Sequence, residues 1–335
     1  MNRTRFQEIA ENYSRLRLAV IGDYCLDRYL EIDPSRKETS IETGLPVHNV
    51  TRVRSQPGAA GTVLNNLVAL GVGKIHPVGF CGEDGEGYEL RRSLSSLPGI
   101  CLDHFLSTPD RRTFTYCKPL VMKHGASPIE LNRLDSKNWS PTPKSVIDNM
   151  VAASKSLAGK VDAVIVMDQV DSAETGVVTR AVVDALAEFP VTIPVVADSR
   201  RGLVGYPPVI FKMNLAELAV VVDADELRSD QQIKLAASEL ARKNGRAVII
   251  TLAERGLIGA TSDGTVVHVP TLPVRGEIDV VGAGDCVLAN ITVALASRAT
   301  LAESLQIAAS ASSIVIHQLG TTGTASVPQI AEAFP

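Results

Sequence analysis

The sequence has 335 residues, of which 45% are hydrophobic and 21% charged, with 33 Lys and Arg residues against 37 Asp and Glu residues. This apolar fraction excludes a disordered chain, and the length suits one large α/β domain or two average ones. A net charge of −4 without a long basic cluster excludes the electrostatic footprint of a nucleic-acid-binding protein.

The cysteines and the apolar segments indicate a cytoplasmic protein. The five cysteines are widely spaced and form no C-x-x-C pair, which argues against a disulfide framework and against a zinc site. No apolar stretch is long enough to span a membrane, and residues 1–16 have an amphipathic helical pattern without the apolar core of a secretory signal. We therefore expect a soluble protein in a reducing cytoplasm, with no membrane partner.

Short β-branched apolar segments alternate with longer helical patterns along the chain. The predicted strands are 18–21, 75–80, 161–167, 193–197, 209–211 and 248–252, and the predicted helices are 59–70, 143–157, 174–189 and 231–244. This alternation predicts an α/β fold, with a mostly parallel sheet covered by helices on both faces. Ligands of such folds bind at the carboxyl ends of the strands.

Two segments, at about 29–53 and 112–133, interrupt this alternation. They lack helical periodicity and contain β-prone stretches such as TFTYC at 113–117. We interpret them as a small appended sheet or lid. Because the sequence has no internal repeat and no low-complexity linker, we expect a single domain over 1–335 with these two segments as insertions.

The sequence DVVGAGD at 279–285 directly precedes an apolar helical pattern at 286–296. A helix N-terminus leaves backbone N–H groups unpaired, and together with the helix dipole they can hold a phosphate or an oxyanion. Asp285, in the first turn, would accept a proton from a hydroxyl that attacks phosphorus. The alternative is structural: Gly282 and Gly284 form a tight loop, and Asp285 only favours the helix dipole.

Three further features each have a functional and a structural explanation. PGAAGT at 57–62 opens a helix, which close packing of the helix on the sheet would also explain. Asn214 and Glu217 are spaced to hold Mg²⁺ or its waters, although this spacing favours an N-terminal capping box. Arg200 and Arg201 follow a predicted strand end, where they either approach a phosphate or form surface ion pairs.

Together these motifs resemble the ribokinase-like (PfkB) family of carbohydrate kinases, and they occur in the family's order along nearly the whole chain. The matching features are Gly22 with Asp27, the Gly-rich segment 57–71, Asn214-x-x-Glu217 and the segment 279–285. GDYCLDRY at 22–29, PSR at 34–36 and QLGT at 318–321 look most like the kinases that phosphorylate heptose 7-phosphate at its anomeric oxygen. The resemblance implies a ribokinase-like three-layer sandwich with a mostly parallel central sheet and a small β lid.

The resemblance also implies ATP-dependent phosphoryl transfer to a hydroxyl of a sugar or sugar phosphate. Asp285 would be the general base, and the backbone amides of Gly282, Ala283 and Gly284 would stabilise the developing charge. The other implied residues are Asp27, Gly58 and Thr62 at the sugar, Asn214 and Glu217 at Mg²⁺ through water, Thr251 and Gly256 along the nucleotide, and Asp279 at a monovalent cation, with K⁺ expected. The lid would cover the sugar and form a homodimer contact.

Ala59 and Thr62 depart from the family pattern, which usually has Gly and Asn at these positions. Because a hydroxyl offers fewer hydrogen bonds than an amide, the sugar hydroxyls recognised at Thr62 must differ, or a water must fill the gap. The identity of the sugar therefore stays open. Two alternatives are a nucleoside kinase of the same fold and a non-catalytic sugar sensor, and the complete base and anion hole argue against the sensor.

Overall fold

The fold is built from helices and strands that alternate for most of the chain. The structure is a computed structural model that describes residues 1–123, 125, 127–223, 227 and 229–335. The helices are α1 (Arg3–Ala10), α2 (Ala60–Ala69), α3 (Gly85–Ser95), α4 (Lys144–Leu157), α5 (Arg180–Ala185), α6 (Leu215–Val221), α7 (Asp230–Asn244), α8 (Ala283–Ala296), α9 (Leu301–Val315) and α10 (Val327–Glu332). The strands are β1 (Arg17–Gly22), β2 (Tyr24–Thr39), β3 (Pro46–Ala59), β4 (Lys74–Gly82), β5 (Phe105–Thr108), β6 (Phe114–Val121), β7 (Ile129–Glu130), β8 (Leu134–Ser136), β9 (Ala163–Asp168), β10 (Val195–Ser199), β11 (Ile210–Asn214), β12 (Val248–Thr251), β13 (Leu257–Ala260) and β14 (Val266–Val269).

The central sheet has the strand order β14-β13-β12-β11-β10-β9-β1-β4-β5 in the described residues. The pairs from β12 to β5 are parallel, and β13 and β14 continue the sheet as antiparallel strands. The central strands β1 and β9 are buried along almost their whole length, which explains their continuous apolar sequences. The predicted mostly parallel sheet is confirmed.

Helices cover both faces of this sheet because successive strand residues point to opposite sides. On β1, Ala19 and Ile21 pack into one core with α4, α5, α6 and α7. Leu18 and Val20 pack into the opposite core with α1, α2, α3, α8, α9 and α10. The three-layer arrangement is thereby confirmed. Among the described helices, none has the length and hydrophobicity needed to cross a bilayer.

Helix α8 differs from the other helices because it is buried on every face. Its residues from Cys286 to Ala294 are all buried, and it packs between α2 and α9. This complete burial fixes the position of its N-terminus, which the sequence predicts to be a phosphate site.

The predicted helix 174–189 is wrong in its first six residues, since α5 begins only at Arg180. Before it, Glu174 has a φ of +62°, which is incompatible with an α-helix. The backbone N–H of Val177 donates to the buried carboxylate of Asp23 at 2.7 Å. This long-range hydrogen bond holds the segment as a loop, and periodicity alone could not reveal it.

A second sheet forms the lid, with the order β3-β2-β6-β7 and with β8 paired to β6. The two predicted segments, 29–53 and 112–133, contain most of it, and positions 124 and 126 lie outside the described residues. Strand β2 begins earlier than predicted, at Tyr24, and β3 continues into α2. Because most residues of 24–29 are buried, this part of the lid lacks the alternating pattern that marks a half-exposed strand.

Candidate functional site

The carboxyl ends of β9, β10 and β11 face the lid across a cavity of about 400 Å³. This is the sheet edge at which parallel α/β folds bind their ligands. The lining comes from the lid, the strand ends and the N-termini of α2, α6 and α8, and it includes Asp27, Thr62, Lys118, Asp198, Lys212, Asn214, Glu217, Gly282, Gly284 and Asp285. Seven of the residues proposed from the sequence therefore lie around one cavity.

The N-terminus of α8 provides backbone donors at this cavity. Gly282 is the N-cap, with a φ of +83° that favours glycine, and no side chain caps the helix. The Ala283 N–H donates to the Val280 carbonyl at 3.2 Å. In the described part of the chain, the N–H groups of Gly282 and Gly284 have no such backbone partner, so these two of the three predicted donors are free for an anion.

A buried lysine lies beside this helix terminus. Lys212, in the middle of β11, donates to the carboxylate of Asp198 on β10 at 2.5 Å. A Cβ atom added to Gly284 would lie only 3.2 Å from the Lys212 Nζ, so the ammonium is next to the first turn of α8. Burial raises the pKa of Asp285 to about 7, although Lys212 opposes this shift. The Asp285 carboxylate therefore has a pKa close to neutral pH, where it can gain or lose a proton.

Asp27 faces the same cavity from the lid strand β2. Its Oδ1 lies 3.4 Å from the Nζ of Lys118 on β6. Burial raises the pKa of Asp27, and Lys118 partly offsets the shift. A Cβ on Gly58 would lie 2.6 Å from Asp27 Oδ2, which explains why this position requires glycine.

The two residues that depart from the family pattern lie where β3 joins α2. Ala59 has a φ of +54° and a ψ of −118°, a conformation that residues with a Cβ rarely adopt. Thr62, in the first turn of α2, is buried and lines the cavity. Its hydroxyl makes no hydrogen bond to any other described residue, so it is available to a ligand.

Asn214 and Glu217 form the capping box that their spacing favours. The Glu217 N–H donates to Asn214 Oδ1 at 2.9 Å, and the Asn214 N–H donates to Glu217 Oε2 at 2.8 Å. Glu217 Oε1 stays free of this box, and the residue lines the cavity. The described residues contain no group of three or more His, Cys, Asp or Glu side chains arranged to hold a metal. A metal at Glu217 would thus depend on water and substrate oxygens, as Mg²⁺ commonly does.

Ala283, Thr251, Gly256 and Asp279 are not part of the cavity lining. Gly256 has a φ of +91° and turns the chain between β12 and β13, where a Cβ would lie 2.1 Å from the Val269 carbonyl oxygen. Asp279 accepts hydrogen bonds from the N–H groups of Val281, at 3.0 Å, and Gly320, at 3.3 Å. Its carboxylate therefore joins two loops beside α8.

Sequence reasoning missed most of the cations at the site. Lys118, Arg133, Lys137 and Arg200 line the cavity together with Lys212. The guanidinium of Arg133 lies 4.9 Å from the centre of the Tyr116 ring. Of the two arginines with open roles, Arg200 lines the cavity, whereas Arg201 pairs with the buried Asp168 at 2.8 Å. These five cations come from four separate segments, so no local motif in the sequence marks them.

Comparison with known proteins agrees with this geometry. The model of the family described as "pfkB family carbohydrate kinase" matches residues 17–328. The chain belongs to the pfkB family of carbohydrate kinases. Two curated relatives are the bifunctional protein HldE of Azorhizobium caulinodans, 30% identical over 91% of this chain, and that of Rhodospirillum rubrum, 30% identical over 96%. The chain spans 61% and 62% of the lengths of these two relatives.

Solved structures of a phosphofructokinase and a ribokinase share the fold. Phosphofructokinase-2 from Escherichia coli in complex with potassium matches with a TM-score of 0.72 and 17% identity, covering 95% of this chain and 98% of that one. Ribokinase from Arabidopsis thaliana complexed with ribose and ATP matches with a TM-score of 0.61 and 20% identity, covering 94% and 95%. The ribokinase-like fold is therefore confirmed.

Proposed function

We propose that the protein is an ATP-dependent kinase that phosphorylates a hydroxyl of a sugar phosphate. The observation that carries the proposal is the position of Asp285. This carboxylate lies at the free N-terminus of α8, beside the ammonium of Lys212, in the cavity that Asp27 reaches from the lid. Phosphoryl transfer requires a base, an anion hole and a polar residue that binds the acceptor sugar, all around one cavity.

In the proposed mechanism, Asp27 orients the acceptor sugar and Asp285 removes the proton from its reacting hydroxyl. The hydroxyl oxygen forms a bond to the γ-phosphorus of ATP as the bond to the β,γ-bridging oxygen breaks, and ADP leaves. The N–H groups of Gly282 and Gly284 and the ammonium of Lys212 stabilise the charge on the transferred group. Thr62 and the backbone at Gly58 contact the sugar.

The cations of the cavity favour an acceptor that already carries a phosphate. Lys118 pairs with Asp27 at 3.4 Å, Arg133 with Asp135 at 2.7 Å, and Lys137 and Arg200 with Asp171 at 3.0 and 3.9 Å, so these four cations share three carboxylates. Arg side chains bind phosphate with two parallel hydrogen bonds. A phosphate on the acceptor would balance the remaining positive charge, which a neutral sugar would not. Because segments 22–29 and 318–321 look like those of heptose 7-phosphate kinases, heptose 7-phosphate is the first acceptor to test.

Two metal ions belong to the proposal. Glu217 Oε1 would hold a water of Mg²⁺, and the ion would neutralise the phosphates of ATP; Asn214 contributes by fixing Glu217. Asp279 has no ion pair with a Lys or Arg within the described ranges, so K⁺ would neutralise a carboxylate that lies near the anion hole. Thr251 and Gly256 would border the nucleotide, and we place the reaction in the cytoplasm.

A coupled ADP-release assay tests the proposal, with ATP, Mg²⁺ and K⁺ and a panel of heptose 7-phosphate, other sugar phosphates, neutral sugars and nucleosides. We expect turnover with a sugar phosphate. Turnover with nucleosides alone would instead identify a nucleoside kinase, and sugar binding without any turnover would identify a sensor.

The variant Asp285→Asn tests the role of the base in the same assay. It should lower kcat by a factor of about 10² to 10⁴, because the proton acceptor is lost while the amides and Lys212 remain. Nucleotide affinity, measured by calorimetry, should stay close to that of the unmodified protein. Turnover close to the unmodified level would contradict the mechanism.

A further inference from the structure

One hydrogen bond joins the lid to the loop that lies against the anion hole. Gln56, on the lid strand β3, donates from Nε2 to Thr322 Oγ1 at 2.8 Å. Across the ranges that the structure describes, this is the only hydrogen bond from the lid strands to residues 316–325.

This bond joins the part of the site proposed to bind the acceptor to the part proposed to bind phosphate. Gln56 is the direct partner of Asp27 in the pairing of β2 with β3, and directly paired residues lie on the same face of a sheet. Thr322 lines the cavity and packs against Gly282: a Cβ added to that glycine would lie 3.3 Å from the Cβ of Thr322. The bond therefore connects the acceptor side to the N-cap of α8.

The loop that carries Thr322 is held on both sides of this residue. On one side, the carboxylate of Asp279 accepts from the Gly320 N–H. On the other, the Gln318 side chain accepts from the Thr324 N–H at 3.1 Å and donates to the Thr324 carbonyl at 2.8 Å. A loop restrained in this way passes a displacement of Thr322 on to Gly282 instead of absorbing it.

We propose that Gln56 and Thr322 are positioning residues that couple acceptor binding to nucleotide binding. The inference rests on the proposed function, since it assumes that Asp27 binds the acceptor sugar and that the Gly282 N–H donates to a phosphate of the nucleotide. An acceptor held by Asp27 restrains the β2–β3 pair and thereby Gln56, which holds Thr322 against the N-cap of α8. The acceptor then raises the affinity for nucleotide, and by thermodynamic linkage the nucleotide raises the affinity for acceptor by the same factor.

Calorimetry with a non-hydrolysable ATP analogue and Mg²⁺ tests this inference. The dissociation constant is measured without acceptor and with a saturating amount of the sugar phosphate that the unmodified enzyme turns over, and their ratio is the coupling factor. Thr322→Val and Gln56→Leu should each lower this factor by about two- to tenfold, the contribution expected of one neutral hydrogen bond. Thr322→Ser, which keeps the hydroxyl, should retain the factor.

The double variant and a neighbouring control make the result specific. Gln56→Leu combined with Thr322→Val should lower the factor no further than Gln56→Leu alone, because both changes remove the bond between Gln56 and Thr322. Only Gln56→Leu also removes the hydrogen bond that Gln56 Nε2 donates to the Tyr29 hydroxyl at 3.5 Å. Thr321→Val makes the same change one residue earlier, at a hydroxyl without a hydrogen bond to the other described residues, and should leave the factor unchanged.

Two results would overturn the inference while the proposed function stands. One is an unmodified enzyme that transfers phosphate but has a coupling factor of one, and the other is a Thr322→Val enzyme with an unchanged factor. A loss of stability or of kcat in Thr322→Val without a change in the factor would also show a merely structural role. Absence of phosphoryl transfer by the unmodified enzyme would contradict the proposed function, and the inference with it.

Discussion

At the scale of single residues, the buried cation Lys212 influences the protonation of several carboxylates of the site. Lys212 is buried, pairs with Asp198 and acts electrostatically on Asp285 and Glu217. Burial disfavours the ionised form of Asp285 and raises its pKa, whereas the nearby ammonium favours that form. The balance places the pKa of the base at about 7, where it can both accept and release a proton under physiological conditions.

This balance predicts a pH profile. Turnover should rise with pH as Asp285 deprotonates, with an apparent pKa near 7. Lys212 and Arg200 both lower this pKa, and Lys212 has the larger effect. Lys212→Met should therefore move the rise to higher pH by about 1 unit or more. Lys212→Arg, which keeps the charge, should retain the position of the rise. An unmoved profile in Lys212→Met, measured as kcat/KM from pH 5 to 9, would show that another group controls the rate.

The backbone of Ala59 supports a second prediction at this scale. Its positive φ with a ψ of −118° strains a residue that carries a Cβ, and glycine would relieve the strain. Ala59→Gly should raise the free energy of unfolding by about 1 kcal/mol, after the greater flexibility of glycine in the unfolded chain is subtracted. Ala60→Gly, the same change one residue later inside α2, should lower it by about 1 kcal/mol. Urea unfolding measures both, and a destabilised Ala59→Gly would contradict this explanation.

At the scale of elements, the sequence predicts secondary structure best where a segment has a regular pattern and needs no specific long-range contact. The buried strands β1 and β9 are mostly apolar and contain several β-branched residues, and their position in a parallel sheet follows from the helices between the strands. The residues at which α5 and the lid begin could not be predicted from the sequence pattern. They depend on Asp23, which binds the Val177 N–H from a distant part of the chain, and on the burial of the first residues of β2.

The residues of the site divide in the same way, into those that the sequence indicates and those that only the fold brings together. Asp285, Gly282 and the Asn214–Glu217 pair are local motifs at helix N-termini, so spacing alone indicates them. Lys118 and Lys212 are isolated lysines within strands, and only the topology brings them to the cavity. The roles of Asn214 and Glu217 stay open because a capping box and a metal site use the same residues at the same spacing.

Two substitutions separate these roles of Glu217. Glu217→Gln can keep the capping hydrogen bond at the third helical position but removes the charge. It should raise the Mg²⁺ concentration needed for half-maximal activity by about tenfold, which is the lower end of the range expected when a group that supports a metal is lost. The Tm should stay unchanged. Glu217→Ala removes the cap as well and should also lower stability by about 1 kcal/mol. If Glu217→Gln keeps the Mg²⁺ dependence of the unmodified enzyme, Glu217 is a cap alone.

At the scale of the whole molecule, the lid exposes an apolar surface. Its exposed apolar side chains are Ile41, Leu45, Val50, Val53, Ile129 and Leu134. Exposed apolar side chains are typical of a protein interface where they gather into one patch. The homodimer contact proposed for the lid, and the organisation of the chain as one domain with lid insertions, are predictions that solution measurements can test.

The turn between β2 and β3 gives the sharpest test of the dimer. Ile41 is 98% exposed there, so a charge at this position should not affect folding of one chain. Ile41→Asp should convert a dimer into a monomer in analytical ultracentrifugation, because the charge would be buried without a partner. Val191→Asp changes an apolar residue that is 76% exposed outside the lid and should leave the dimer intact. A monomeric unmodified protein would contradict the proposed contact.

Helix α8 combines complete burial with an N-terminus that faces the cavity. Backbone amides inside a buried helix exchange with deuterium only when the whole structure opens, whereas unpaired amides at a helix start exchange through small local fluctuations. A single proteolytic fragment spanning 279–296 would therefore contain two separate kinetic populations of amides. The slow population reports the global stability of the protein, and the fast one becomes slow only when an anion occupies the helix start. Occupancy of the proposed phosphate site and integrity of the core can thus be followed in the same experiment, from the same eighteen residues.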